Sequence, residues 1–215
     1  MKICGVTRPE DALLAAELGA WAVGTIFFEG SPRACDPTVG EEIGVALKRK
    51  AELVGVFVNA PLDDVVGLAD LCRLTMLQLH GDEGPAYCRE AARRTGCKVM
   101  KAQRMRDAAS VRQLESYREA DFHMLDTHAE DLRGGTGRSF DWELARHHRS
   151  RVPIVLSGGI DPANVAEAIA AVHPFAVDSA TGTEAEPGLK DPAKVEALIA
   201  AVRAVDAAGD APRAA

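Results

Sequence analysis

Short β-rich runs recur roughly every 25 residues along this chain, and amphipathic helical patterns fill the gaps. The runs fall near residues 2–5, 21–27, 53–58, 75–79, 97–102, 122–126, 153–157 and 175–178. Eight such βα units with no break in composition predict an α/β protein, a single closed (β/α)8 TIM barrel. A doubly wound open sheet is the alternative, but eight units within 215 residues favour closure. Hydrophobic residues make up 47 % of the chain, enough to bury one core, so one domain is expected over 1–205. The stretch 206–215 is Ala, Gly, Asp, Pro and Arg, and is expected to fray.

Local chemistry marks the helix ends. Thr7-Arg8-Pro9-Glu10 reads as a capping box with proline early in the first turn. Asp161-Pro162 and Asp191-Pro192 each place a capping acid before a first-turn proline. Gly19 is positioned to close the first helix.

Composition excludes several classes. No apolar run is long enough to span a bilayer, and residues 1–5 enter a strand pattern without the apolar core of a signal peptide. A cytoplasmic protein with no membrane partner is expected. Net charge is -7, aromatics are 5 %, and the basic residues are dispersed, so no nucleic-acid partner is expected. The five cysteines show no C-x-x-C spacing, and the histidines show no ligand spacing, so neither a disulfide framework nor a metal site is expected. Cys35, Cys72, Cys88 and Cys97 read as small buried hydrophobes.

Chemistry in this fold gathers at the C-terminal ends of the strands. Three late strand ends lead into glycine-bearing loops: Gly134-Gly135-Thr136-Gly137, Ser157-Gly158-Gly159 and Thr181-Gly182. Glycine lets backbone N–H groups converge on an anion, and the loops after strands 7 and 8 are a frequent phosphate site. Gly135, Gly158, Gly159, Thr181 and Gly182 are therefore expected at a phosphate. Asp126 ends strand 6 and Asp178 ends strand 8, where a carboxylate points into the barrel mouth or caps the next loop. Cys4 ends strand 1, and Lys2 two residues earlier shares its face. A buried ammonium beside a thiol lowers the thiol's pKa, so Lys2 is expected to poise Cys4 as a base. Arg33, on the loop after strand 2, is either a carboxylate ligand or a solvated arginine. Gln78 and His80 alternate with leucines on strand 4 and are expected to line the mouth; a satisfied core histidine is the other reading of His80.

Nine segments then carry a resemblance. Lys2 to Thr7, Ser31 to Arg33, Val54 to Asn59, Leu77 to Gly81, Leu125-Asp126, Gly134 to Gly137, Phe140 to Trp142, Ser157 to Gly159 and Pro187 to Asp191 together resemble the phosphoribosylanthranilate isomerase family, in order, from residue 1 to about 200. The resemblance implies an Amadori rearrangement in tryptophan synthesis. A phosphorylated N-glycoside of anthranilate becomes its 1-deoxyribulose 5-phosphate isomer, without metal or organic cofactor. It implies Cys4 as general base, Asp126 as general acid, Arg33 at the anthranilate carboxylate and Asp178 at the ribose. A monomer or a homodimer is expected. Some positions depart from the family pattern: Thr25 stands where an aromatic is common, Cys35 and Asp36 follow Arg33, and Ala180-Thr181 stands where the family usually has two serines, which puts one hydroxyl contact to phosphate in question. The related aminoaldose isomerase of histidine synthesis is an alternative, but it resembles a barrel with an aspartate in place of Cys4 and two similar halves. A barrel that binds a phosphometabolite without turning it over is another.

Overall fold

The computed structural model describes residues 1–127 and 142–209. Its eight main strands are β1 (Lys2–Cys4), β2 (Ala22–Ile26), β3 (Glu52–Phe57), β4 (Met76–Leu79), β5 (Lys98–Met105), β6 (Phe122–Thr127), β7 (Ile154–Ser157) and β8 (Ala176–Ser179). They pair in sequence order, all parallel, and β1 closes on β8. The barrel read from the sequence is present, with strand positions displaced by a residue or two. Only β5 is appreciably longer than expected.

Among the described residues, six α-helices cross between strands: α1 (Pro9–Glu17), α2 (Pro37–Leu47), α3 (Leu62–Leu71), α4 (Pro85–Thr95), α5 (Ala108–Arg112) and α6 (Val165–Val172). A 3-10 turn, Trp142–His147, precedes β7. After β8 the chain makes a 3-10 turn (Thr181–Thr183), a small hairpin of β9 (Glu184–Glu186) and β10 (Leu189–Lys190), and α7 (Pro192–Gly209). Thus α7 continues four residues beyond Val205. No described helix is long and apolar enough to cross a membrane.

The caps show which local signals survive tertiary competition. Asp191 Oδ1 accepts from the N–H groups of Ala193 and Lys194 at 2.9 and 3.2 Å, as an N-cap should. Asp161 does the same for Ala163 and Asn164, at a turn that leads into α6. Gly19 follows α1 with φ +90° and donates to Ala16 O. The capping box at Thr7 does not form. Arg8 occupies the cap position without a side-chain cap bond, and the Thr7 hydroxyl donates to Gly188 O at 2.6 Å, 181 residues away. A tertiary tie between the first βα loop and the β9–β10 hairpin has won over a local one.

Strand alternation sorts side chains into two cores. Ala22, Val54, Met76, Met100, Ala102, Met124, Val155 and Ala176 fill the barrel interior. The outward faces pack on the helices in two larger clusters, around Ile3, Phe57 and Leu77 and around Leu125, Leu156 and Leu198. Trp21, Phe122 and Phe175 plug the N-terminal end, with ring centroids 5.1 to 5.2 Å apart. The opposite end is left for polar groups.

His123, on the outward face of β6, is fully buried. One ring nitrogen, Nε2, lies 3.0 Å from Tyr117 O, which can only accept, so it carries the proton. Nδ1 then accepts from His148 Nε2 at 2.8 Å. Protonating Nδ1 would set two N–H groups against each other. Burial accordingly pushes the His123 pKa down to about 4, aided by His148. The folded value lies below the unfolded one, so the unfolded chain binds the proton first as pH falls. Stability is therefore intact above about pH 6.5 and is lost as pH drops towards 4. Urea unfolding at pH 7 and pH 5 should show a loss of about 2 kcal/mol, much reduced in His123→Leu. Equal losses in both proteins would remove His123 as the cause.

Candidate active site

The mouth is organised around one buried ion pair. Lys2 Nζ donates to Asp178 Oδ1 at 2.8 Å, and the two residues are register partners across the β1–β8 seam that closes the barrel. Ser157 Oγ, at the end of β7, donates to Asp178 Oδ2 at 3.1 Å. Side chains on three neighbouring strands are thereby locked together beneath the glycine-bearing loops after β7 and β8. Asp178 lies where the sequence placed it, but both of its oxygens are engaged by protein groups.

Cys4 sits one pleat above Lys2, 5 % exposed. Gly24, adjacent on β2, makes room for both: a Cβ there would lie 2.9 Å from Cys4 Sγ and 3.1 Å from Lys2 Nζ. The thiol's protonation differs from the expectation. Burial pushes its pKa above the ordinary value; the Lys2 ammonium pulls it down, and Asp178 pushes it up again. Burial also opposes the charge on Lys2, but Asp178 and Cys4 outweigh it and the lysine's pKa is raised. The resting pair is thus thiol plus ammonium. Lys2 limits the thiol's rise; it does not bring about a net fall.

Across the mouth, His80 Nε2 approaches Asp126 Oδ2 at 3.2 Å, and Gln78 Nε2 approaches His80 Nδ1 at 2.9 Å. Gln78 donates through that nitrogen, so Nδ1 accepts and Nε2–H points at the carboxyl. His80 is half-buried and Gln78 is buried below it, and together they form a chain that reaches Asp126. Gln78 Oε1 is buried without a partner.

The phosphate-type loops after β7 and β8 are built as their glycines require. Gly158 and Gly159 both have positive φ, +97° and +61°, a run that L side chains rarely adopt and that turns successive N–H groups to one side. Gly182 packs directly on Ile160 O, which a Cβ there would overlap, so the two loops lie against each other. Thr181 is exposed beside it. Gly135, with the rest of Gly134 to Gly137, lies outside the described residues.

Arg33 differs most from its solitary appearance in the sequence. It grips Glu184 bidentately, Nε to Oε1 at 2.8 Å and a terminal nitrogen to Oε2 at 2.8 Å. Lys190 Nζ also donates to Glu184 Oε1 at 3.2 Å. Burial alone would raise the Glu184 pKa, but Arg33 and Lys190 hold it below the usual carboxylate range. Sequence reading missed Glu184 because nothing local marks it; its partner lies 151 residues away. The remaining cysteines behave as expected. All five thiols are free and buried, and burial pushes Cys35, Cys72 and Cys88 up to about 11.

This fold and this mouth have relatives. The family model for N-(5'-phosphoribosyl)anthranilate isomerase matches residues 1–201. The isomerase of Citrifermentans bemidjiense is 47 % identical over 205 residues, covering 95 % of this chain and 97 % of its own. That of Rubrobacter xylanophilus is 46 % identical over 203 residues, covering 94 % and 98 %. The solved isomerase of Thermotoga maritima superposes with a TM-score of 0.84 at 39 % identity, covering 94 % of this chain and 98 % of its own. Another solved isomerase, in complex with reduced 1-(o-carboxyphenylamino)-1-deoxyribulose 5-phosphate, gives 0.82 at 37 %, covering 94 % and 97 %. Full-length agreement in sequence and in backbone leaves one conclusion: the chain belongs to the N-(5'-phosphoribosyl)anthranilate isomerase family.

Proposed function

We propose that the protein isomerises N-(5-phosphoribosyl)anthranilate to 1-(2-carboxyphenylamino)-1-deoxyribulose 5-phosphate, with Asp126 as general acid and Cys4 as general base. One observation carries the assignment of roles. In the closed strand order, β1 and β6 stand immediately on either side of β7 and β8, so Cys4 and Asp126 flank the two phosphate-type loops. A ribose anchored there by its 5-phosphate lies between an acid and a base.

The chemistry follows from that placement. Asp126 protonates the furanose ring oxygen, the C1′–O bond breaks, and the ring opens to an iminium. The cation draws electrons from C2′ and acidifies its proton, which the Cys4 thiolate removes. The resulting enolamine tautomerises to the amino ketone. One proton is given and one taken, so the two groups suffice, each contributing typically ~10²–10⁴-fold. His80, held by Gln78, fixes the Asp126 carboxyl for the first step. Lys2 favours the thiolate needed for the second. Asp178 acts by holding Lys2 and Ser157 in register. The phosphate is held by backbone N–H groups of Gly158, Gly159 and Gly182 and by the Thr181 hydroxyl; Gly135 is proposed as a further substrate contact. Ala180 offers no hydroxyl. The working unit is a monomer or a homodimer in the cytoplasm; a Thermotoga maritima relative is described as dimeric.

The test is turnover. The substrate is generated in situ and loss of its anthranilate fluorescence is followed. First-order decay proportional to protein concentration supports the reading. Tight binding of the reduced product analogue without turnover would instead favour a binding barrel.

A further inference from the structure

One buried ammonium takes no part in the chemistry described above. Lys101, on β5, is 1 % exposed and lies on the outward face of the strand, since its neighbours Met100 and Ala102 fill the barrel interior. Its three N–H donors are all used: Leu79 O accepts at 3.0 Å, Gly81 O at 2.6 Å and Glu83 Oε2 at 3.2 Å. The two carbonyls belong to the residues on either side of His80. A single cation thus grips the turn that carries His80 from behind, while the imidazole reaches inward to Asp126.

Glu83, also buried, extends the grip to the neighbouring loop. Its Oε1 accepts from the Asn59 N–H at 2.7 Å and its Oε2 from the Gly81 N–H at 2.9 Å. Asn59, at φ +52°, returns the tie: its Oδ1 accepts from the Asp82 N–H at 2.6 Å. Glycine is needed at 81 for this approach, because a Cβ there would lie 2.4 Å from Asn59 Oδ1. A buried ion pair adds little net stability over an apolar pair of the same volume, so its use here points to geometry. We infer that Lys101, clamped by Glu83, is a positioning residue for the isomerisation: it fixes the His80 turn and, through His80, the Asp126 carboxyl. This rests on the isomerase reading and carries the support of the acid beyond Gln78 and His80 to a buried pair behind the strand.

A mutant cycle tests it, with Lys101→Met, His80→Ala and the two combined. Turnover gives kcat, and calorimetry with reduced 1-(o-carboxyphenylamino)-1-deoxyribulose 5-phosphate gives affinity. A misplacement of about 1 Å at a reacting group costs up to ~10²-fold, so Lys101→Met should lower kcat by about tenfold or more. Affinity for the analogue should stay within about threefold. In the His80→Ala background the same change should cost less than about twofold, because the group it acts through is gone. An equal loss in both backgrounds overturns the proposal, since Lys101 would then act on the protein at large. So does an unchanged kcat in Lys101→Met or in His80→Ala, or a loss confined to affinity. Lys101→Met combined with Glu83→Gln leaves no stranded carboxylate and takes the place of the single variant if that one fails to fold. A wild type that binds the analogue without turnover brings down the isomerase reading, and this one with it, before any variant is compared.

Discussion

Cys4→Ser and Asp126→Asn are each expected to lower kcat by about 10²-fold or more while leaving affinity for the reduced product analogue within a few-fold. Serine keeps the shape of cysteine but has no accessible anion, so it cannot take the C2′ proton. Asparagine keeps the His80 contact and has no proton to give the ring oxygen. The wild-type pH profile belongs to the same expectation. Burial holds the Cys4 thiol above its ordinary pKa, so the base form grows as pH rises. The rate at which a small alkylating agent modifies Cys4 in the free enzyme should therefore climb through neutral pH, with no plateau below about pH 8. A plateau already present at pH 6 would mean that Cys4 is a thiolate at rest.

Lys2→Met should be the most destabilising single change at the mouth. It leaves Asp178 a buried carboxylate, with Ser157 the side-chain donor that remains among the described residues, at a cost of about 3–5 kcal/mol. The urea midpoint reports that loss. Lys2→Met combined with Asp178→Asn removes the stranded charge and should recover much of the stability without recovering activity. In that folded double variant, the pH dependence of Cys4 alkylation reads the thiol directly. Removing the ammonium takes away what pulls the thiol down, and removing the Asp178 charge takes away one push up. Comparison with Asp178→Asn alone isolates Lys2: the double variant's thiol should titrate higher. Identical profiles would show that Lys2 is structural and does not tune the base.

The barrel was legible because its signals are local and repeated. Each strand is a short apolar run, each helix an amphipathic one, and proline or glycine punctuates the joins. The positions of Cys4, Asp126, Gln78 and His80 were legible because alternation along a single strand fixes which face a side chain takes. What failed was whatever depends on a partner far along the chain. Thr7 had the right neighbours for a cap and found Gly188 instead. Arg33 looked solitary because Glu184 lies 151 residues on. The net pKa of Cys4 needed the degree of burial as well as the nearby lysine, and spacing carries no measure of burial.

The clasp at the seam also governs the order in which the molecule can be completed. Lys2 and Asp178 are 176 residues apart, Thr7 and Gly188 are 181, and Asp11 and Lys190 are 179. On a ribosome adding ~5–20 residues per second, the partner of Lys2 appears about 10–35 s after Lys2 itself. Until then the first strand must keep its ammonium in water, and the interior position it will occupy stays unfilled. The nascent chain can therefore assemble hairpin-like βα neighbours early, but it cannot seal the ring until its last strand emerges. A catalytic pocket appears only at that final step, so no truncated translation product carries a functional half of it.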